Sequence, residues 1–136
     1  MSGHVFDLRV YYEDTDLAGI VYHANYLKFI ERARTEALIA AGIDQAALRA
    51  ETGMVFAVRR IEAEYLAPAR FQDLLRVVTR AGAVRGARAE LEQEVRRGEA
   101  ALFRARVEVV CLDADGRARR LPEAVRAALS AVGSPD

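Results

Sequence analysis

Much of the usual catalytic inventory is missing from this chain. Its 136 residues include one cysteine, two histidines, three serines, one lysine and no tryptophan. Ser2, Ser130 and Ser134 all lie near the termini, so no hydroxyl has the adjacent base and orienting third group that a serine-hydrolase triad requires. Cys111 sits inside Val107-Glu108-Val109-Val110-Cys111-Leu112, where it reads as a small buried apolar residue. Lys28 stands in the polar stretch of an expected helix and offers no desolvated amine. Two histidines, His4 and His23, argue against a histidine-rich zinc site, although counts alone leave a carboxylate-held magnesium ion open. Carboxylate chemistry is what remains.

Other absences bound the class of molecule. No apolar run approaches membrane-spanning length, and Met1-Ser2-Gly3-His4-Val5-Phe6-Asp7 lacks the basic and apolar regions of an export leader. With a single cysteine, these features make a cytoplasmic protein the expectation. Twenty basic residues balance twenty acidic ones, and no basic cluster dominates, so neither nucleic acid nor an anionic membrane surface is an expected partner. Nineteen arginines against one lysine, with many alanines, read as genomic base composition and carry no mechanistic weight. No linker divides the chain, and 52% hydrophobic content suffices for one core, so residues 1–136 read as a single domain.

Periodicity gives the element order. Phe6, Leu8, Val10 and Tyr12 alternate with Asp7, Arg9 and Tyr11 as in a half-buried strand. From about residue 24 to 41, Tyr26/Leu27, Ile30, Ala33, Ala37/Leu38 and Ala41 recur at helical spacing, and Gly42 is placed to stop the helix. Asp44 can cap a short second helix over 45–51, which Gly53 ends. Strand patterns follow over 55–66, 74–84, 87–95 and 100–112, the first interrupted near Arg59-Arg60. Arg85-Gly86, Arg97-Gly98 and Asp113-Ala114-Asp115-Gly116 separate the later ones as turns. Leu121-Pro122-Glu123 opens a last helix through Leu129, and residues 130–136 read as a fraying tail. One long helix with about five mostly antiparallel strands is an α+β arrangement in which a curled sheet wraps the helix. Apolar residues left over on strands such as 100–112 predict that a second copy covers the open edge or the outer face.

The most informative segment is Tyr11-Tyr12-Glu13-Asp14-Thr15-Asp16-Leu17-Ala18-Gly19-Ile20-Val21-Tyr22-His23-Ala24-Asn25-Tyr26. It sets an acidic, glycine-containing turn between a strand and the start of the long helix. Unpaired backbone N–H groups at a helix start can hold a carbonyl oxygen that becomes negative during attack, so a carboxylate facing them suggests acyl transfer. On the residues alone, Asp14 and Asp16 also fit a plain turn in which each carboxylate binds its own backbone.

The same segment, with Phe29-Ile30-Glu31-Arg32-Ala33-Arg34-Thr35-Glu36 and Tyr65-Leu66-Ala67-Pro68-Ala69-Arg70 followed by Asp73-Leu74-Leu75, resembles the hotdog-fold acyl-CoA thioesterases. The likeness is to the 4-hydroxybenzoyl-CoA thioesterase-like branch and its Tol-Pal-associated YbgC-type members, and it covers roughly residues 5–126. It departs at Gln72, where an acidic residue is common, and at Ala87, where a small polar residue is frequent. The resemblance implies hydrolysis of acyl-CoA thioesters in a hotdog fold, with Asp16 as the catalytic carboxylate and His23 near the helix start. A thiol leaving group with a pKa of about 8.5 departs without strong acid assistance, so one carboxylate and an oxyanion site can suffice. Asp16 then acts as general base toward water or as a nucleophile that forms a mixed anhydride. The His23 backbone N–H polarises the thioester oxygen.

Further expectations follow. Gly19 serves a positive-φ turn or close substrate approach. Tyr22 and Tyr26 are candidates to line the acyl pocket, and Arg59, Arg60, Arg85 and Arg88 to hold the coenzyme A phosphates. Glu31 and Glu36 lie on the polar side of the helix and read as surface ion-pair formers with Arg34 and Arg32. No metal or cofactor is expected beyond the coenzyme A of the substrate. An acyl carrier protein is a possible alternative carrier of the acyl group, and a homotetramer built from two dimers is the expected assembly. Two other classes compete: an acyl-binding or envelope-associated module without activity, and a hotdog hydratase or dehydratase. The six residues between Asp16 and His23 disfavour the hydratase, whose pattern has four.

Overall fold

The computed structural model describes residues 3–133. Strand β1 (His4–Arg9) is followed by a 3-10 turn (Tyr12–Asp14), helix α1 (Asn25–Ala40) and helix α2 (Gln45–Thr52). Strands β2 (Val55–Tyr65), β3 (Leu74–Arg85), β4 (Arg88–Arg97) and β5 (Ala100–Leu112) then precede helix α3 (Glu123–Val132). All pairings are antiparallel, and the sheet order is β1-β3-β4-β5-β2, which leaves β1 and β2 as its edges.

The helical spacing becomes an apolar stripe. Tyr26, Phe29, Ile30, Ala33 and Ala37 are buried along one side of α1, the first four in one cluster with Leu75, Val77, Val95 and Phe103 of the sheet. Burying each large side chain contributes about 1.5–3 kcal/mol, while the small alanines let helix and sheet approach closely. Past Ala37 the stripe joins a second cluster, where Leu121, Val125, Leu129 and Val132 of the α3 region cover Leu91 and Cys111. The last helix therefore continues beyond Leu129, because Val132 is buried too. Only residues 134–136 of the expected tail fall outside the described residues.

Local stops follow the chemistry of their residues. At the end of α1 the Gly42 amide donates to the Ile39 carbonyl (3.0 Å) and the Ile43 amide to that of Leu38 (2.9 Å). This cap needs a left-handed residue, which Gly42 supplies at φ 92°. Asp44 accepts the Ala47 amide (3.1 Å) and caps α2. The interruption near Arg59-Arg60 is a β-bulge, a register shift between Val58 and Arg60. Strand β1 is shorter than its alternation suggested. Val10 is buried at 0% exposure, but Tyr12 turns out to solvent in the 3-10 turn.

The outer face of the sheet is charged rather than apolar. Arg80 pairs in register with Glu92, Glu92 with Arg106, and Arg106 with Glu62, an alternating row across four strands. Opposite charges directly across strands favour this register. Exposed apolar residues on edge strand β2 and just beyond it are Val55, Val58, Tyr65 and Leu66, while others, such as Tyr12, Leu17, Ile39 and Leu74, lie elsewhere on the surface.

Beneath α1 lies a buried polar knot. The Gln93 side-chain amide donates to the Ile30 carbonyl (2.8 Å) and to the Thr79 hydroxyl (2.9 Å), and its carbonyl accepts from Arg34 (3.0 Å). Arg34 therefore points inward instead of pairing with Glu31 on the surface. Burial pushes its guanidinium below the ordinary value, opposed by the field of Glu31. Glu31 accepts the Thr35 hydroxyl at 3.1 Å.

Candidate active site

The segment between β1 and α1 folds as a small ribbon. The Tyr22 amide donates to the Asp14 carbonyl (2.9 Å), Thr15 bridges Val21, and the Asp16 amide donates to the Ile20 carbonyl (2.9 Å). Leu17, Ala18 and Gly19 close it. Gly19 adopts φ 79°, and a side chain built there would meet nothing within 4 Å, so the turn's backbone conformation, not crowding within the chain, calls for glycine. The returning arm is pinned from the other side, since the Val21 amide donates to the Ala69 carbonyl (2.9 Å) and Ile20 bridges Arg70.

Asp16 stands at the ribbon's turn, partly exposed. Oδ1 accepts the Ala18 amide at 2.9 Å, which fixes the side chain. Among the described residues Oδ2 has no protein donor, so one oxygen orients the carboxylate and the other is left without a protein partner. Asp14 behaves differently. It is 5% exposed, its two oxygens accept the Tyr11 amide and the Asn25 side-chain amide (both 2.8 Å), and it faces inward.

His23 and Ala24 lead into α1. The Tyr22 carbonyl accepts the Asn25 amide at 2.8 Å, and the Ala24 carbonyl accepts that of Leu27 at 3.1 Å. A trans peptide sets its N–H opposite its C=O, so directing the Tyr22 carbonyl into the helix turns the His23 N–H away from it. Among the described residues neither the His23 nor the Ala24 amide has an acceptor, which leaves two donors at the positive end of α1. The His23 ring is exposed and lies 4.7 Å from that of Tyr22 and 6.3 Å from that of Tyr65. Ribbon and helix start thus bring the Asp16 carboxylate and the His23 amide to one end of the molecule.

Aromatic packing holds that end. Tyr26 stacks on Phe103 at 5.0 Å, and Tyr65 meets both rings edge-on, at 5.5 and 5.0 Å. Tyr26 is 3% exposed and its hydroxyl accepts the Ala69 amide (3.0 Å), so it belongs to the core of the single chain rather than to an open pocket wall. Burial raises the pKa of its phenol. Tyr22 is half exposed beside His23.

The four arginines lie elsewhere. Arg59 and Arg88 share the Glu108 carboxylate at 2.9 and 3.6 Å, Arg60 pairs with Glu62 at 2.6 Å, and Arg85 is exposed at the β3–β4 turn. Arg59 to Tyr65 spans about 20 Å of strand at ~3.3 Å per residue, so one chain does not bring these guanidinium groups to Asp16. A cleft of about 250 Å³ lies further along α1, between Arg34, Leu38, Phe56, Val58 and Leu129. Asp14, Asn25 and Tyr65 were not singled out as site residues from the sequence. Asn25 directly follows the His23-Ala24 pair, and a polar side chain in the first turn of an apolar-striped helix was the available signal. Among the described residues no helix is long and apolar enough to cross a membrane.

A long helix wrapped by a curled, antiparallel five-stranded sheet is the hotdog fold of the thioesterases. The chain belongs to the thioesterase-like superfamily, whose model matches residues 10–129. It is 44% identical over 112 residues to the acyl-CoA thioesterase YbgC of Haemophilus influenzae, covering 82% of each chain. It is also 44% identical over 120 residues to the acyl-CoA thioester hydrolase YbgC of Escherichia coli, covering 87% of this chain and 89% of that one. Among solved structures, a probable thioesterase from Bartonella henselae superposes with a TM-score of 0.86 at 40% identity, over 89% of this chain and all of that one (100%). A 1,4-dihydroxy-2-naphthoyl-CoA thioesterase from Synechocystis superposes with a TM-score of 0.89 at 22% identity, over 98% of this chain and 100% of its own, a likeness of fold.

Proposed function

We propose that the protein hydrolyses acyl-CoA thioesters to the free acid and coenzyme A, with Asp16 as its carboxylate and the His23 amide as oxyanion donor. The observation that carries this reading is the pairing of a carboxylate with one open oxygen and amides without an internal acceptor at the start of α1. The two YbgC relatives, at 44% identity, support the substrate class.

Two routes fit the site. In one, Asp16 takes a proton from water, the hydroxide adds to the thioester carbonyl carbon, and the C–S bond breaks as the thiolate leaves with a proton. In the other, an Asp16 oxygen adds to that carbon, the thiolate leaves, and water then cleaves the mixed anhydride. Single turnover in oxygen-18 water tests for the second route, since label enters Asp16 only when water opens a mixed anhydride at the Asp16 carboxyl carbon. Thiol release from short, long and aromatic acyl-CoA esters, and from the same acyl groups on acyl carrier protein, bounds the substrate. Neither route draws on a metal or a further cofactor. The reading places the reaction in the cytoplasm, where acyl-CoA is available.

We also assign a homo-oligomer, two edge-paired dimers forming a tetramer. Exposed Val55 and Val58 on the free edge of β2 support the first contact. Sizing in solution tests this. The native chain should elute above monomer size and Val58→Glu should shift it down, whereas a native monomer overturns the assignment.

A further inference from the structure

Asp14 forms the most connected polar junction in this region, yet it does not face the open side where Asp16 lies. Its carboxylate accepts the Tyr11 amide and the Asn25 side-chain amide at 2.8 Å each, and its carbonyl accepts the Tyr22 amide at 2.9 Å. These three partners are the chain leaving β1, the returning arm of the ribbon, and the first residue of α1. Asp14 and Asn25 are 5% and 8% exposed, so water competes little for the bond between them. The Asn25 backbone in turn donates to the Tyr22 carbonyl (2.8 Å), the contact that turns the His23 N–H outward. One residue pair therefore ties the ribbon that carries Asp16 to the helix start that carries the amides.

We propose that Asp14 and Asn25 are positioning residues for thioester hydrolysis, a clamp that sets the distance between the Asp16 carboxylate and the His23 amide. The proposal rests on the hydrolase reading given above. Neither residue touches substrate. Their effect arises because transition-state stabilisation is steep in geometry, so that a displacement of about 1 Å can cost on the order of a hundredfold in rate. Loosening the clamp lowers kcat and leaves KM nearly unchanged, because the exposed surfaces that bind substrate stay in place.

The donor and acceptor roles of the pair can be exchanged, which supplies the test. Asn25→Asp places two carboxylates against each other and removes the donor. Combining it with Asp14→Asn restores both bonds. The introduced amide at position 14 accepts the Tyr11 N–H through its oxygen and donates through its nitrogen to the carboxylate at 25. In Asn25→Asp, kcat should fall about 30-fold with KM within about threefold, and the double variant should return to within about fivefold of native, magnitudes set by one charge-assisted hydrogen bond. Asn25→Ala, which removes the donor without adding charge, should lose about tenfold and serves if Asn25→Asp does not fold.

Amide hydrogen exchange across residues 14–23 supplies a readout independent of turnover. It should rise in Asn25→Asp and Asn25→Ala, and return to native in the double variant. Native kcat in folded Asn25→Asp and Asn25→Ala, or a folded double variant that regains neither rate nor protection, overturns the clamp. A native protein without thioesterase activity overturns the hydrolase reading instead, and the exchange data still decide whether the pair sets the ribbon.

Discussion

The Tyr65 hydroxyl donates a 2.8 Å hydrogen bond to the His23 carbonyl oxygen, joining the end of edge strand β2 to the turn that opens α1. Because a peptide is planar, fixing that carbonyl also fixes the direction of the Ala24 N–H. The strand edge thus orients one of the two free amides at the helix start, while the Tyr22 carbonyl orients the other through its bond with the Asn25 amide.

Tyr65→Phe keeps the ring against Tyr26 and Phe103 and deletes only this bond. We expect kcat to fall about fivefold, the equivalent of one neutral hydrogen bond of about 1 kcal/mol, with little change in thermal stability. Steady-state kinetics beside a melting curve checks it, and an unchanged kcat would show that the His23-Ala24 peptide needs no such support.

Gln93 is 2% exposed, Thr79 0%, and together with Arg34 they fasten α1 to the sheet. Gln93→Leu preserves volume but strands the Thr79 hydroxyl and the Arg34 guanidinium without their partner. Unfolding by urea should show a loss of about 2 kcal/mol, the penalty for buried polar groups left unsatisfied.

Asp73 gives the fold a dependence on acid. Its burial raises its pKa, but the Arg70 amide and the Arg97 guanidinium, each 2.8 Å away, outweigh burial and hold it below the ordinary 3.8. A folded value below the unfolded one means that the charged carboxylate stabilises the native state above pH 3.8, and that this contribution is lost as pH falls through the lower, folded value. Asp73→Asn should therefore melt earlier than native at neutral pH, by about 1 kcal/mol, with the difference vanishing in strong acid. Melting curves across pH check the convergence.

Element types were readable from this sequence because period and punctuation agree. The α1 stripe ends in Gly42, the α2 cap is Asp44, and β5 spans 100–112 between two turn clusters. The family was legible through the motif that runs from Tyr12 to Tyr26, whose spacing is specific. What stayed hidden depended on contacts between distant segments. Nothing in an Asp-Thr-Asp run distinguishes the buried Asp14 from the open Asp16, since both suit a turn and only Asn25, eleven positions on, takes one of them inward. Tyr26 reads equally well as pocket wall or core until Phe103 stacks on it. Arg34 looked like half of a surface ion pair because its partner, Gln93, comes from a strand fifty-nine positions away. The apolar run over 100–112 suggested an open edge or outer face in need of cover, and the charged row of Arg80, Glu92, Arg106 and Glu62 emerges only once strand register sets which arginine meets which glutamate.

The most direct test of the account is thiol release from acyl-CoA esters by the native protein and by Asp16→Asn, both shown to be folded and of the same oligomeric size. We expect the native protein to turn over and the variant to lose on the order of 10²–10⁴-fold in kcat, as removal of a positioned acid–base group does. Equal rates in the two proteins would contradict the role of Asp16, and a folded native protein inert on every ester, whether on coenzyme A or on carrier protein, would contradict the hydrolase reading itself.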